Sequence, residues 1–135
     1  MRPTLILAAG ALLAAGSLHA QSPGAQLQAL EAAARGADPA FGGFSAPRGA
    51  AFFSARHGGD WRCSTCHTDD PRAAGRHAVT GKAIEPLAPS ANPARFTDAA
   101  RTDKWFRRNC KDVLKRECSA QEKGDVVAYL VSLGR

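Results

Sequence analysis

Methionine, long apolar runs and nucleic-acid-binding motifs are scarce or absent in this sequence of 135 residues. Its N-terminal apolar run covers residues 5–15, about half of the roughly 20 residues that span a bilayer, which argues against a transmembrane helix. The only methionine is Met1. Removal of an N-terminal segment would therefore leave the protein without any methionine thioether. A formal net charge of +6 without a nucleic-acid-binding motif gives no support for DNA or RNA binding.

Residues 1–20 match a secretory signal peptide, because Arg2 gives a short basic start, the apolar run follows, and Ala20 precedes the cleavage site. Cleavage leaves residues 21–135, which we expect to form one domain. This part of the chain contains 17 of the 18 basic residues and all 12 acidic residues, so its side chains carry a net charge of +5. We expect a periplasmic protein that does not span the membrane. The chain is short for an enzyme that builds its own active site, but ample for a shell around a large cofactor.

Four stretches have the periodicity and capping residues of α-helices and none has a convincing strand pattern, so the sequence predicts an all-α fold. The predicted helices lie around residues 27–34, ended by Gly36 and Asp38-Pro39; at 47–56, with Ser45 as a candidate N-cap; from 97 or 98 to Asn109 or slightly beyond; and at about 120–133, with a capping box of Ser119 and Glu122. Residues 68–95, rich in proline and glycine, are predicted to form a long loop wrapped around a ligand.

Residues 63–67 have the sequence Cys-Ser-Thr-Cys-His. Two thiols at this spacing can add to the two vinyl groups of a haem, and the histidine that follows then lies beneath the iron, which is typical of c-type haem attachment. Cys63, Cys66 and His67 are therefore predicted to hold one haem c, with His67 as an axial ligand of its iron. A redox dithiol would follow a strand of a βαβ unit, and a zinc site would need two further ligands at suitable spacing.

An iron-bound histidine needs a hydrogen-bond partner for its other ring nitrogen, because that bond fixes the orientation of the ring. The proline-rich loop offers backbone carbonyls to His67, and the carbonyl of Pro86 is our candidate. The alternative interpretation is that Pro86 only turns the chain.

The sixth ligand of the iron is less obvious, because the common His/Met ligation needs a methionine and residues 21–135 contain none. A second histidine, a lysine, another polar side chain or an open position remain. His57 and His77 are the only other histidines after residue 20. Each is compatible with a surface position as well as with a bond to iron.

Asn109 is a further candidate, at the end of a predicted helix that carries Trp105 and Phe106, aromatic residues suited to line a haem face. An amide oxygen is a weak ligand that could bind ferric iron and leave on reduction, so that a diatomic gas can enter. Asparagine is also common at helix C-termini for structural reasons, so the pattern alone leaves both interpretations open. If haem takes the first two cysteines, Cys110 and Cys118 remain as one candidate bridge.

Together these residues resemble the SHP-type cytochromes c, small high-spin, oxygen-binding monohaem proteins with an asparagine axial ligand. The similar stretches cover nearly all of the chain after residue 20: residues 44–49, 63–67, 81–89, 92–98 and 104–110, then Cys118 and residues 121–125. The most specific element is the pair Asn109 and Cys110, with a second cysteine eight residues further on.

The resemblance implies a class I cytochrome c fold with an additional N-terminal helix, in which the helix containing Gly49 crosses the last helix closely. It implies that Asn109 is the distal iron ligand, that it leaves on reduction so that O2 or NO can bind, and that Cys110 and Cys118 form a disulfide. It also implies a dihaem cytochrome c as electron-transfer partner and a link to a membrane cytochrome b.

Two points stay open at the level of sequence. A run of cations could be a solvated helix face or a docking surface for an acidic redox partner: Arg101, Lys104, Arg107, Arg108, Lys111, Lys115 and Arg116.

The leading function is a redox protein with a gas-accessible haem. The alternatives are a terminal oxidase or NO-detoxifying enzyme, and a plain low-spin electron carrier with His57 or His77 on the iron.

Overall fold

The computed structural model describes residues 21–134 of the chain. Its elements are α1 (Pro23–Ala37), α2 (Ala46–Ser54), α3 (Cys63–His67), β1 (Gly75–Arg76), β2 (Ala83–Ile84), α4 (Ala99–Leu114) and α5 (Ala120–Ser132). This mostly helical architecture confirms the predicted fold class. The predicted signal peptide lies outside the described residues. None of the helices within residues 21–134 has the length and apolar character needed to cross a membrane.

Each of the four longer helices begins at a side chain that accepts a hydrogen bond from the first turn. The pairs are Ser22 with the N–H of Ala25, Ser45 with that of Arg48, Asp98 with that of Arg101, and Ser119 with that of Glu122. Such caps satisfy backbone N–H groups that have no partner within the helix. The cap at Ser45 and the capping box of Ser119 and Glu122 confirm the predicted starts of α2 and α5.

One helix ends where the sequence predicts, and another continues further. α1 ends at Ala37 with Asp38 as its C-cap, as predicted from Gly36 and Asp38-Pro39, and the N–H of Asp38 donates to the carbonyl of Ala34. α4 continues beyond Asn109 and ends at Lys115, which has a left-handed φ of 60°. The additional turn of α4 buries apolar residues beside the second pair of cysteines. Asn109 therefore lies inside α4, and its predicted position at a helix end is wrong.

β1 and β2 form an antiparallel hairpin in which Gly75 pairs with Ile84. The prediction of a chain without strands is therefore wrong at this place. The cause is a tight turn: Gly81 has a left-handed φ of 67°, and its N–H donates to the carbonyl of His77 at 2.9 Å. Strands of two residues carry too little hydropathy pattern to be recognised in a sequence.

α5 is the central helix of the fold and packs against α1 and α2. Its Val127 and Leu130 lie with Phe53 of α2 in the main buried cluster. Where α2 crosses α5, a Cβ atom on Gly49 would overlap the backbone carbonyl of Asp125, so the close approach requires glycine. The predicted close crossing at Gly49 is confirmed.

Candidate haem site

The predicted haem-attachment residues lie on the short helix α3. Cys63 is three residues from Cys66 and four from His67, so the three side chains leave one face of the helix. Cys63 and Cys66 are free thiols, whereas Cys110 and Cys118 form a disulfide with 5.6 Å between their Cα atoms. This pairing confirms the predicted bridge and leaves the α3 thiols available for a haem.

The electrostatics of α3 do not suit a redox dithiol. Burial raises the pKa of the Cys63 thiol to about 11, with a smaller contribution from the neighbouring Cys66. A redox-active cysteine has a lowered pKa instead. Among residues 21–134, no group of three or more histidine, cysteine, aspartate or glutamate side chains could hold a metal ion. The two alternatives to haem attachment therefore find no support.

His67 lies partly buried beside Phe53, and the centroids of the two rings are 6.3 Å apart. Burial lowers the pKa of His67 to about 4, and the positive charge of Arg95 adds to this effect. The imidazole is therefore neutral at pH 7, which is the form that binds iron. Two free thiols and a neutral imidazole on one helix face are the groups that a covalent haem c requires. The residues present thus fit this cofactor.

The carbonyl of Pro86 is held by an arginine from further along the chain. Nε of Arg95 donates to the Pro86 carbonyl and Nη2 donates to the Glu85 carbonyl, each at 2.8 Å. A carbonyl oxygen has two lone pairs, so the Pro86 oxygen can still accept a second hydrogen bond. Its predicted bond to the ring of His67 stays a prediction.

The β1–β2 hairpin packs directly on the backbone of α3. A Cβ atom on Gly75 would overlap the carbonyl of Cys66, and the N–H of Ala78 donates to Sγ of Cys66 at 3.3 Å. Thr68, the residue after His67, has a left-handed φ of 63°, which ends the helix abruptly. The hairpin therefore supports the haem-attachment motif although it lies outside the motif in sequence.

Asn109, Trp105 and Phe106 lie together on α4. Phe106 packs against the main buried cluster, as Cys63 of α3 does, so this cluster joins the two helices. Trp105 is 45% exposed, and Asn109, one turn further along, lies on the same side of α4 and is also exposed. Their predicted contacts with haem stay predictions. Cys110, which follows Asn109, is buried in its disulfide.

The two other histidines of the described residues bond to backbone groups. Nε2 of His57 donates to the carbonyl of Phe52 at 2.9 Å, and the two rings pack with centroids 4.3 Å apart. Nδ1 of His77 accepts from the N–H groups of Val79 and Thr80, each at 3.2 Å, within the hairpin turn. Both rings thus stabilise local turns, and each would lose these bonds on moving to the iron.

Three residues belong to the site although the sequence did not identify them as site residues. Phe53 lies within the predicted helix at 47–56, where nothing local marks its contact with His67. Gly75 is one of 13 glycines, and nothing local marks its contact with α3. Arg95 lies in the stretch 92–98 that resembles the SHP-type proteins, and this is the signal that could have identified it.

Sequence comparisons place the chain among known proteins. A family model described as a domain of unknown function (DUF1924) matches residues 39–130. The cytochrome c-type protein SHP of Cereibacter sphaeroides is 46% identical over 133 residues, which cover 96% of this chain and 98% of that protein.

Solved structures share the fold. The structure of oxidized SHP, an oxygen-binding cytochrome c, has a TM-score of 0.73 at 43% identity, over 83% of this chain and 97% of that chain. The solution structure of cytochrome c'' from Methylophilus methylotrophus, reported with insights into the structural basis of haem-ligand detachment, has a TM-score of 0.73 at 33% identity, over 84% of this chain and 94% of that chain. With this similarity over most of both chains, the protein belongs to the SHP family of cytochromes c and carries one covalently bound haem c.

Proposed function

We propose that this protein is a periplasmic redox cytochrome whose distal asparagine leaves the iron on reduction, so that O2 or NO can bind. In this proposal the haem is attached at Cys63 and Cys66, and its iron is held by His67 on one side and, in the ferric state, by Asn109 on the other. The residues proposed to lie beside the haem are Trp105, Phe106 and Pro86.

The observation that carries the proposal is the position of the other imidazoles. His57 and His77, the remaining histidines within residues 21–134, bond to backbone groups of local turns. The same residues contain no methionine. Asn109, by contrast, is exposed beside Trp105, on the helix that shares a buried cluster with Cys63. Of the imidazole, thioether and amide donors, the amide of Asn109 on α4 is therefore the one whose position best suits a distal ligand.

When bound, the haem supplies an iron that alternates between the ferric and ferrous states and takes up a diatomic gas at an open sixth position. An amide oxygen is a hard, neutral donor, so Asn109 suits ferric iron better than the softer ferrous ion. Once released, the amide N–H of Asn109 can donate a hydrogen bond to a gas molecule. The disulfide that begins at Cys110 holds the α4 backbone, so we expect the Asn109 side chain, and not the helix, to move on release.

The two structural relatives support the two halves of this proposal. SHP is described as an oxygen-binding cytochrome c, and cytochrome c'' was studied for the detachment of a haem ligand. A weak distal ligand combines both properties, because its departure creates the open position that a gas needs.

Ferric and ferrous absorption spectra of wild type and Asn109→Ala test the proposal. Asn109→Ala should alter the ferric spectrum, because the iron loses its amide ligand, and should still form a ferrous CO complex. Asn109→His should place an imidazole on the iron in both oxidation states. CO would then have to displace this ligand, so its apparent affinity should fall at least about tenfold.

Asn92→Asp is the matched control for these spectra. Oδ1 of Asn92 accepts from the N–H of Ala94 at 3.2 Å in a surface turn, and an aspartate keeps this bond, so neither spectrum should change. A ferric spectrum of Asn109→Ala identical to that of wild type would show that Asn109 is not the ligand. Reduced wild type with low-spin bands that CO leaves unchanged would indicate the plain electron carrier, and steady consumption of O2 or NO would indicate the enzyme.

The solvent face of α4 carries closely spaced cations that suit an acidic electron donor, which we propose to be a dihaem cytochrome c. Lys104 is four residues from Arg108, and Arg107 is four residues from Lys111; like charges at this spacing destabilise a helix. In the described part of the chain, only Arg107 of these four forms an ion pair, with Asp103 at 3.4 Å. An acidic partner surface would relieve the repulsion and steer association.

Reversing two of these charges, with Lys104→Glu and Lys111→Glu, should slow reduction by a purified dihaem cytochrome c about tenfold at low ionic strength. The difference should shrink at high salt, because ions screen exposed charges. Arg56→Glu with Lys82→Glu is the matched control, since it changes the net charge equally at exposed residues outside α4. Equal slowing by the two pairs would contradict a docking surface on α4.

A further inference from the structure

Tyr129 is the only tyrosine of the chain, and a row of aromatic rings connects it to His67. The rings of Tyr129 and Phe53 pack with their centroids 5.7 Å apart, and those of Phe53 and His67 pack with their centroids 6.3 Å apart. Phe53 is 1% exposed, so the middle of this row is close-packed and holds no layer of water. Electrons cross such a packed row more readily than a water-filled gap.

The crossing of α2 and α5 fixes the position of Tyr129. Phe53 comes from α2 and Tyr129 from α5, so the interface that forms the main buried cluster holds both rings. A Cβ atom on Gly49 would lie 2.9 Å from the Cβ of Tyr129, so the base of the tyrosine side chain has no free space on that side. The geometry of the aromatic row is therefore set by the core of the fold.

The phenol of Tyr129 keeps its proton at neutral pH. Burial raises its pKa, Asp70 and Asp69 raise it further, and Arg72 offsets part of their effect. Asp70 and Arg72 are paired at 2.8 Å, and both are more than half exposed, so Tyr129 lies close to an exposed polar surface. A tyrosine that gives up an electron becomes strongly acidic, and its proton can leave to water at this surface. Tyr129 can thus donate one electron together with one proton.

We propose that Tyr129 supplies an electron through Phe53 to the haem when hydrogen peroxide reacts at the open iron, and that it thereby protects the porphyrin from oxidation. The proposal rests on the gas-accessible ferrous iron of the proposed function and adds a second activity to it. Peroxide is O2 reduced by two electrons, so a site that handles both O2 and electrons is exposed to this oxidant.

Reduction of peroxide to two water molecules breaks its O–O bond and consumes two electrons and two protons. One electron comes from the iron, which passes from ferrous to ferric. Tyr129 supplies the second electron and its phenol proton and becomes a neutral phenoxyl radical, while the solvent supplies the second proton. One electron from the redox partner and one proton from water then restore the tyrosine. In the absence of Tyr129, the porphyrin or another side chain has to supply the second electron.

Rapid-freeze electron paramagnetic resonance of the reduced, haem-loaded protein, mixed with an equimolar amount of hydrogen peroxide, tests the proposal. Wild type should show a tyrosyl radical, which in this chain can only be Tyr129. Tyr129→Phe keeps a ring against Phe53 and should lose this signal completely. Repeated additions of peroxide should bleach the Soret band of Tyr129→Phe faster than that of wild type. Phe53→Leu should lower the yield of tyrosyl radical, because it interrupts the row of rings.

Trp61→Phe is the matched control, because it also changes one half-buried aromatic residue, at the smaller buried cluster beside the disulfide. Its tyrosyl signal and bleaching rate should equal those of wild type. Oxidation of wild-type haem without a tyrosyl signal, or with a tryptophanyl radical instead, would overturn the role of Tyr129 and leave the open iron intact.

Two further outcomes separate the parts of the proposal. A wild-type radical yield in Phe53→Leu would overturn the path through Phe53, and equal bleaching of Tyr129→Phe and wild type would overturn the protection of the porphyrin. Ferrous haem that peroxide does not oxidise would overturn both the role of Tyr129 and the open position at the iron.

Discussion

Gly49→Ala should destabilise the protein by about 3 kcal/mol or more, although the same substitution favours a helix elsewhere. The added Cβ would overlap the carbonyl of Asp125 and lie 2.9 Å from the Cβ of Tyr129. The carbonyl belongs to the backbone of α5 and cannot rotate away by itself. α2 must therefore move off α5, along the interface that contains most of the buried core.

Gly36→Ala is the matched control, because it makes the same change in α1, where nothing lies within 4 Å of the added atom. It should stabilise the protein by up to about 1 kcal/mol. Thermal unfolding of the haem-loaded proteins, followed by far-ultraviolet circular dichroism, measures both effects. A Gly49→Ala variant that unfolds at the wild-type temperature would disprove the close crossing.

Asp125→Ala should destabilise the protein by about 3 kcal/mol, because a buried carboxylate on α5 satisfies donors from three residues. It accepts from the N–H of Ser45 at 2.7 Å, from the Gln121 amide at 3.0 Å and from Nε of Arg48 at 2.8 Å. Asp125 is 5% exposed, so its removal leaves the N–H of Ser45 with no acceptor at the N-cap of α2. The start of α2 and its contact with α5 would loosen together.

Asp60→Ala is the control for this variant, since Asp60 is exposed and its loss should change stability by no more than about 0.5 kcal/mol. Asp125→Asn keeps one acceptor oxygen and should therefore lie between Asp125→Ala and wild type. Urea unfolding of the three variants gives the comparison. An unfolding midpoint of Asp125→Ala equal to that of Asp60→Ala would argue against the buried network.

The features that sequence could predict are local. The caps at Ser45 and Ser119 satisfy N–H groups within the next three residues, so a short window contains the whole signal. The haem motif likewise occupies five consecutive residues, and its chemistry depends on their order. The crossing at Gly49 was predictable only through the family resemblance, because its partners lie on α5.

The features that sequence could not predict join distant residues. Gly75 touches Cys66 across the start of the hairpin, and Arg95 bonds to carbonyls nine and ten residues earlier in the chain. The extra turn of α4 depends on the burial of Val113 and Leu114 beside the disulfide. Such tertiary contacts override the local preferences that a sequence displays.

The proposed haem attachment at Cys63 and Cys66 makes opposite redox demands on the two cysteine pairs, because Cys110 and Cys118 are joined in a disulfide. Any environment oxidising enough to close it can also couple Cys63 to Cys66, and thiols consumed in that way cannot form thioethers. The α3 thiols must therefore stay reduced, or be reduced again, until the porphyrin is attached, while the other pair is oxidised. A cell that supplied an oxidant but did not reduce the α3 cysteines would accumulate colourless, haem-free protein. Each such molecule would contain two disulfides, one between Cys63 and Cys66 and one between Cys110 and Cys118.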